Sequence, residues 1–352
     1  MKIDYLIVGQ GIAGTSLAHQ FAAKGVSFKI LQNNTLPSSS KVAGGMINPL
    51  TGKRLARTWK HEIIFDYLDE FYTHLEDKLN TKFLSKIQLF RPYKNENQKH
   101  QFEKAIFLKR LTDFVDIIPA EKEINPIIHA PIGGLITHDS GKLDVINFLE
   151  SSAELFKEMD VFLEGNFSTL SFFSDTDNIE YKEHTFNKVV FCEGIHAQNN
   201  PLFDWLPFNP VKGETLDVSI GEHHLDMIIN QGVWIMPLGN EKYKIGSTYD
   251  WDNLDFNSTE IAKYEILEKA KHFLKIEPTI LSQSAGIRPA VKDRRPIMGK
   301  HPKFDNVFIF NGLGTKGVSL APYFSLQLAE HLIEQKEIDI ESTIERFYPL
   351  YS

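Results

Sequence analysis

Apolar residues follow two rhythms along this chain of 352 residues: short continuous runs and longer helical stripes. The first run, residues 2–8, predicts a buried strand. Residues 9–14 read Gly-Gln-Gly-Ile-Ala-Gly, residues 15–24 predict a helix that stops at Gly25, and residues 26–31 predict a second strand. Ile64, Phe65, Leu68, Phe71, Tyr72 and Leu75 share one face of a helix over 61–79. Two more helices are expected over 97–112 and from Asp144 to about Phe156. Strands dominate from about 161 to 250, with a buried strand over 187–192 that ends in a turn at Gly194. A hairpin is expected from 232–240 and 243–248. A helix near 259–274, a strand over 306–310, a loop over 311–314 and a helix over 315–335 complete the pattern.

The opening strand, turn and helix form a dinucleotide-binding unit in its expected context. Gly9 allows the tight turn, Gly11 lets backbone approach a pyrophosphate, and Gly14 lets the helix pack closely on the strand. Ile12 and Ala13 lie at the helix start, whose free N–H groups and positive dipole end suit phosphate. The second strand ends in Gln32, where such units carry an acidic residue for ribose. A glutamine amide offers the same hydrogen bonds without charge. No arginine stands close by for a 2′-phosphate, so NADP gains no support.

Composition narrows the classes. A net charge of −8 opposes a general nucleic-acid surface. Cys192 is the one cysteine, follows Val189-Val190-Phe191, and reads as a buried core residue with no disulfide partner. No window reaches about 18 consecutive apolar residues, so a membrane span is not expected. The first strand leaves no room for a signal peptide, and cytoplasm is the expected location. The basic run at 53–60 reads as solvated surface. No His/Cys spacing suits a metal, and no nucleophile elbow or Walker motif is present, which sets aside hydrolase and nucleoside-triphosphatase chemistry.

Three further segments point to a family. Gly286-Ile287-Arg288-Pro289, followed by Asp293, Pro296 and Gly299, resembles the G-x-R-P…D-x-x-P-x-x-G segment of the D-amino-acid oxidase-like FAD family. Asn311-Gly312-Leu313-Gly314-Thr315-Lys316-Gly317 resembles its last glycine-rich loop, and Gly44-Gly45-Met46-Ile47 its A-G-M-I loop. Glycine and sarcosine oxidases belong to this family. The resemblance implies an α/β (α+β mixed) fold: a Rossmann-like FAD-binding domain with an inserted, mostly antiparallel β-sheet substrate domain. The FAD-binding domain is expected over 1–80, 135–205 and 286–352, and the substrate domain over 81–134 and 206–285.

Non-covalent FAD is the implied cofactor. Gly9, Gly11, Ile12, Ala13, Gly14, Gln32, Gly44, Gly45, Met46, Ile47, Gly194, Gly286, Arg288, Gly312, Gly314, Thr315, Lys316 and Gly317 are its implied contacts. The implied reaction oxidises the C–N bond of a small amino acid or N-substituted glycine by hydride transfer to flavin N5. Arg288 is the expected holder of the substrate carboxylate, since a planar guanidinium makes two parallel bonds to it. Lys316 and the start of the last helix would favour negative charge on a reduced flavin. Trp234 is the expected site wall, with Tyr249 and Tyr243 as weaker candidates; Arg294 and Arg295 read as surface residues. The expected partner is a small amine or amino acid. Gly-Thr-Lys-Gly departs from the glycine oxidase pattern and is closer to Gly-Ser-Arg-Gly. That version resembles an oxidase of the carboxymethylamino group of modified tRNA uridine, which stands as one alternative. An FAD-holding electron-transfer protein stands as another.

Overall fold

The computed structural model describes residues 2–52, 54–166 and 179–351. Lys53 of the basic run and residues 167–178 of the expected strand-rich stretch lie outside the described residues.

The chain opens with β1 (Lys2–Val8), α1 (Ile12–Lys24) and β2 (Phe28–Gln32). Next come α2 (His61–Leu79), β3 (Leu89–Pro92), α3 (Glu96–Lys109), β4 (Val115–Ile118), β5 (Gly134–Thr137) and α4 (Val145–Glu158). They are followed by β6 (Phe162–Glu164), β7 (His184–Phe191), β8 (Val211–Ser219), β9 (Ile228–Gln231), β10 (Val233–Gly239) and β11 (Lys242–Gly246). The chain ends through α5 (Glu260–Ala270), β12 (Thr279–Arg288), β13 (Ile297–Lys300), β14 (Val307–Asn311) and α6 (Gly317–Glu334).

The first sheet has the order β6-β2-β1-β7-β14-β13. It is parallel through β14, and β13 is antiparallel to its neighbour. Val8 pairs with Phe191, and Phe191 with Ile309. The turns after β1, β7 and β14 therefore meet at one edge, the carboxyl ends of parallel strands where ligands bind in such sheets. Apolar side chains of α1, α2, α4 and α6 cover one face of this sheet.

The six residues expected on one face of α2 are all buried. α4 begins where Asp144 caps it, accepting a hydrogen bond from the Asn147 N–H at 3.1 Å. In α6, Pro322 has no N–H to offer the Val318 carbonyl one turn back. The buried Tyr72 hydroxyl donates to that carbonyl instead, at 2.9 Å.

The second sheet has the order β12-β8-β11-β10-β9-β3-β5-β4 and is antiparallel except between β9 and β3. Strand alternation divides its faces. Leu216, Ile245, Ile235, Ile229 and Phe90 point to a core shared with Ile266 of α5. The opposite face carries Thr215, Gly246, Trp234 and Asn230, which pair strand by strand. β5 and β12 pair in this sheet along their whole lengths. The expected boundaries at 134/135 and 285/286 therefore fall inside strands of the second sheet.

Candidate active site

A cavity of about 830 Å³ lies between the carboxyl edge of the first sheet and the front face of the second. At one end it opens onto the start of α1, whose N-cap, Gly11, offers no side-chain hydrogen bond. Gly9 has φ 101° and backs onto Cys192, whose carbonyl oxygen would lie 2.6 Å from an added Cβ. A Cβ at Gly14 would overlap the Gly9 carbonyl oxygen, so this glycine lets the helix seat on the turn. The Gln32 amide oxygen accepts from the Gln10 N–H at 2.7 Å, and its NH2 group donates to Asn33 at 2.9 Å. Gln32 thus braces the glycine turn while lining the cavity.

Beside it lies the start of α6, where Gly317 packs against Ile12 and the N-cap, Lys316, makes no side-chain hydrogen bond to the helix. Lys316 is held by hydroxyls alone: Nζ donates to Thr58 Oγ1 at 2.9 Å and to Thr51 Oγ1 at 3.4 Å. Burial, with Arg295 and Arg294 adding repulsion, lowers its pKa to about 8. Lys316 therefore has no carboxylate in an ion pair with it among the described residues.

Arg288 ends β12 and lies across Gly213 of the neighbouring strand, where a Cβ would overlap the guanidinium. Nη2 donates to Ser247 Oγ at 2.6 Å, and Nη1 to the Thr248 and Lys212 carbonyls at 3.3 and 3.4 Å. These three bonds leave Nε–H and one Nη2–H without a partner among the described residues. The Tyr249 ring lies 4.6 Å from Cζ. Burial lowers the Arg288 pKa, although Tyr249 opposes the shift. Trp234 reaches across from β10 so that its Cη2 would lie 2.5 Å from a Cβ at Gly44. Gly44 is what lets this indole close the gap between the two sheets.

Fifteen of the eighteen expected cofactor contacts line this one cavity. Gly14, Ile47 and Gly312 do not. Gly14 serves helix packing, Ile47 is buried in the first core, and Gly312 (φ 75°) shapes the bend before α6. Trp234 and Tyr249 line the cavity; Tyr243 does not. It points to the opposite face of the sheet, where its hydroxyl accepts from the Leu225 N–H at 3.1 Å.

Cys192 is buried as expected, and desolvation pushes its thiol up. Arg295 is not simply solvated: it lies 4.2 Å over the Trp59 ring. In the basic run, Arg57 pairs with Glu62 and Lys60 with Asp339, so these charges are already partnered.

The sequence reading missed two residues. Arg91, in the buried strand β3, lines the cavity. Its signal was an arginine flanked by Phe90 and Pro92 in an apolar run. Glu193 also lines it, as the only carboxylate among the described lining residues. Burial raises its pKa to about 7, against a hydrogen bond from Asn200.

Two helix starts facing one cavity, a glycine cradle and cations without acidic partners among the described residues are what an elongated, phosphate-bearing redox cofactor requires. The fold and site define a two-sheet flavin-dependent oxidoreductase. A family described as "DAO: FAD dependent oxidoreductase" matches residues 4–331, and the chain belongs to that family. FAD is its cofactor, and the residues present fit it.

The oxidoreductase YurR of Bacillus subtilis (strain 168) is 22% identical over 96% of this chain and 97% of its own. Glycine oxidase of the same organism is 30% identical over 44% of this chain and 42% of its own. The crystal structure of glycine oxidase from Geobacillus kaustophilus superposes with a TM-score of 0.81 at 19% identity, covering 96% of both chains. Among the described residues, no helix is long and apolar enough to cross a membrane.

Proposed function

We propose that this enzyme oxidises the C–N bond of a small amino acid or N-substituted glycine whose carboxylate is held by Arg288. The observation that carries the reading is the two unused donors of the Arg288 guanidinium. The group is fixed by three hydrogen bonds, lies on a glycine floor and has no acidic partner among the described residues. A substrate carboxylate completes it with two charge-assisted bonds.

The remaining roles follow from position. The α1 start and the turns around Gly9 and Gly194 hold the diphosphate, and Gln32 lies toward the ribose. The Gly44–Gly45 loop and Trp234 wall the space beside the ring system. Lys316 and the α6 start set positive charge where they line the cavity. FAD, bound without a covalent link, supplies the two-electron acceptor that turns an amine into an imine. Arg288 orients the substrate, Trp234 excludes water, and the cations at the α6 start set the field. On this reading the first sheet carries the cofactor and the second the substrate.

The test is anaerobic bleaching of the purified yellow protein with a panel of amino acids and N-substituted glycines. Loss of the oxidised-flavin absorbance with a carboxylate-bearing amine, and not with the matching decarboxylated amine, is the expected result. If no amine reduces the protein, this reading is wrong.

A further inference from the structure

Resting on the amine reading, we infer that the substrate carries a second anionic group, held by Arg91 farther along the cavity face of the second sheet. Arg91 is only 8% exposed. Nη2 donates to the Leu50 carbonyl at 3.1 Å and Nη1 to the Gly52 carbonyl at 3.3 Å. Nε is shielded from solvent and has no partner among the described residues. No acidic side chain forms an ion pair with it among those residues. Burial pulls its pKa down to about 10, which leaves it cationic at neutral pH. A buried charge without a counter-charge is costly, and proteins retain one where a ligand supplies the missing partner.

Its surroundings fit an anion. Lys94, Gln98, Asn230 and Gln231 also line the cavity, and Glu193, beside the glycine turn, is the only carboxylate among the described lining residues. Gln231 is anchored there by its bond to the Pro92 carbonyl at 3.2 Å. The Phe102 ring lies 5.9 Å from the guanidinium and gives this end an apolar wall.

Sheet register joins this end to Arg288. Phe90 pairs with Ile229 and belongs to the back core, so Arg91 and Asn230 face the cavity. Asn230 pairs with Trp234, Trp234 with Gly246, and Gly246 with Thr215. A continuous floor thus runs from the Arg288 guanidinium, past the tryptophan, to Arg91. The Arg288 guanidinium lies over Gly213 of β8, four strand spacings or about 19 Å from β3 along the sheet. A guanidinium–carboxylate contact of about 4 Å at each end leaves ~11 Å between the two anionic groups, about three residues' length of extended chain. The occupant is an N-carboxymethyl amine or amino acid with a carboxylate or phosphate on its tail, longer than a simple α-amino acid.

The test is a series HOOC–CH2–NH–(CH2)n–COOH, run beside methyl-tailed and phosphonate-tailed counterparts of equal length. On wild-type holoenzyme, kcat/KM for the anionic tails is expected to exceed that for the methyl tail at least tenfold, with an optimum at n of ~5–7. The better of the two anionic tails identifies the group. In Arg91→Gln the anionic-to-methyl ratio is expected to fall to near one, and in Arg91→Lys to recover in part. Arg91 also braces the 50–52 loop, so the wild-type series stands without either variant.

An independent readout is thermal stabilisation by non-oxidisable α,ω-dicarboxylates over the matching monocarboxylates, lost in Arg91→Gln. Equal use of charged and methyl tails by the wild type overturns the inference and leaves the amine reading intact. If no amine is oxidised, the amine reading fails, and the dicarboxylate shift alone decides whether Arg91 holds an anion.

Discussion

Gly213 offers a way to disturb the proposed carboxylate site without touching its arginine. An alanine there would set a methyl group in the space the Arg288 guanidinium fills, and the nearest atoms are Nη2, Cζ and Nη1 of that side chain. The Gly213 backbone is not in the left-handed region, so alanine carries no backbone strain. The methyl group therefore moves the guanidinium off its bonds to Ser247 and Thr248. Two charge-assisted bonds to a carboxylate are together worth about 3–6 kcal/mol. Complete loss, as in Arg288→Ala, corresponds to about 10²–10⁴-fold in kcat/KM at roughly 1.4 kcal/mol per factor of ten. Displacement by about 1 Å is expected to cost Gly213→Ala on the order of 10²-fold. The assay is steady-state oxidation of the best carboxylate-bearing amine, with the visible spectrum recording FAD content. Full FAD with kcat/KM within threefold of wild type would refute the reasoning, because the guanidinium would then have no role in holding substrate.

Three further outcomes follow from the same geometry. Lys316→Met removes a buried cation beside the α6 start and is expected to lower the midpoint potential of bound FAD by ~30 mV, equivalent to about 1.4 kcal/mol for two electrons; in the wild type this contribution fades as pH rises through about 8. Because the folded-state pKa of Lys316 lies below its ordinary value, its burial opposes folding at neutral pH, and that penalty is relieved above about pH 8. Tyr72→Phe leaves the Val318 carbonyl without a donor and is expected to cost about 1–3 kcal/mol in urea unfolding, with FAD content unchanged. Glu193 is held protonated to about pH 7 in the folded chain, so stability falls as pH rises from the ordinary carboxylate range toward 7, and Glu193→Gln is expected to flatten that slope in thermal melts.

Local rules made the nucleotide cradle readable. The run over 2–8, the three glycines and the helix stop at Gly25 each depend on nearest neighbours along the chain, and all appear where pattern places them. The same holds for α2, whose stripe is a property of one helix. Sheet membership was less legible. Nothing local marks β5 as a strand of the second sheet, since its partners β3 and β4 are set by register across distant segments. Tyr243 shows the same limit on a smaller scale. Trp234 and Tyr243 both lie in the expected hairpin, yet pairing sends one to the cavity and the other to the core.

Arg91 and Glu193 were harder still to see, because a strand with one charged residue reads as an ordinary buried strand with a blemish. The departure from pattern was itself the signal. β3 is Leu-Phe-Arg-Pro, and all four of its residues are buried. A charge in a position that packing alone would fill with leucine needs a compensating interaction, and here the backbone carbonyls of Leu50 and Gly52 supply only part of it. Arg288 and Lys316 repeat that condition at two other points of one cavity: each is desolvated, held by neutral groups, and without an acidic partner among the described residues. Three such cations facing one space raise each other's cost, so the arrangement is stable in use only when anions fill it. A cofactor with a reducible ring and a substrate with a carboxylate account for Lys316 and Arg288. They leave Arg91 still unmatched, and that residue is where the chemistry of the substrate's far end has to be sought.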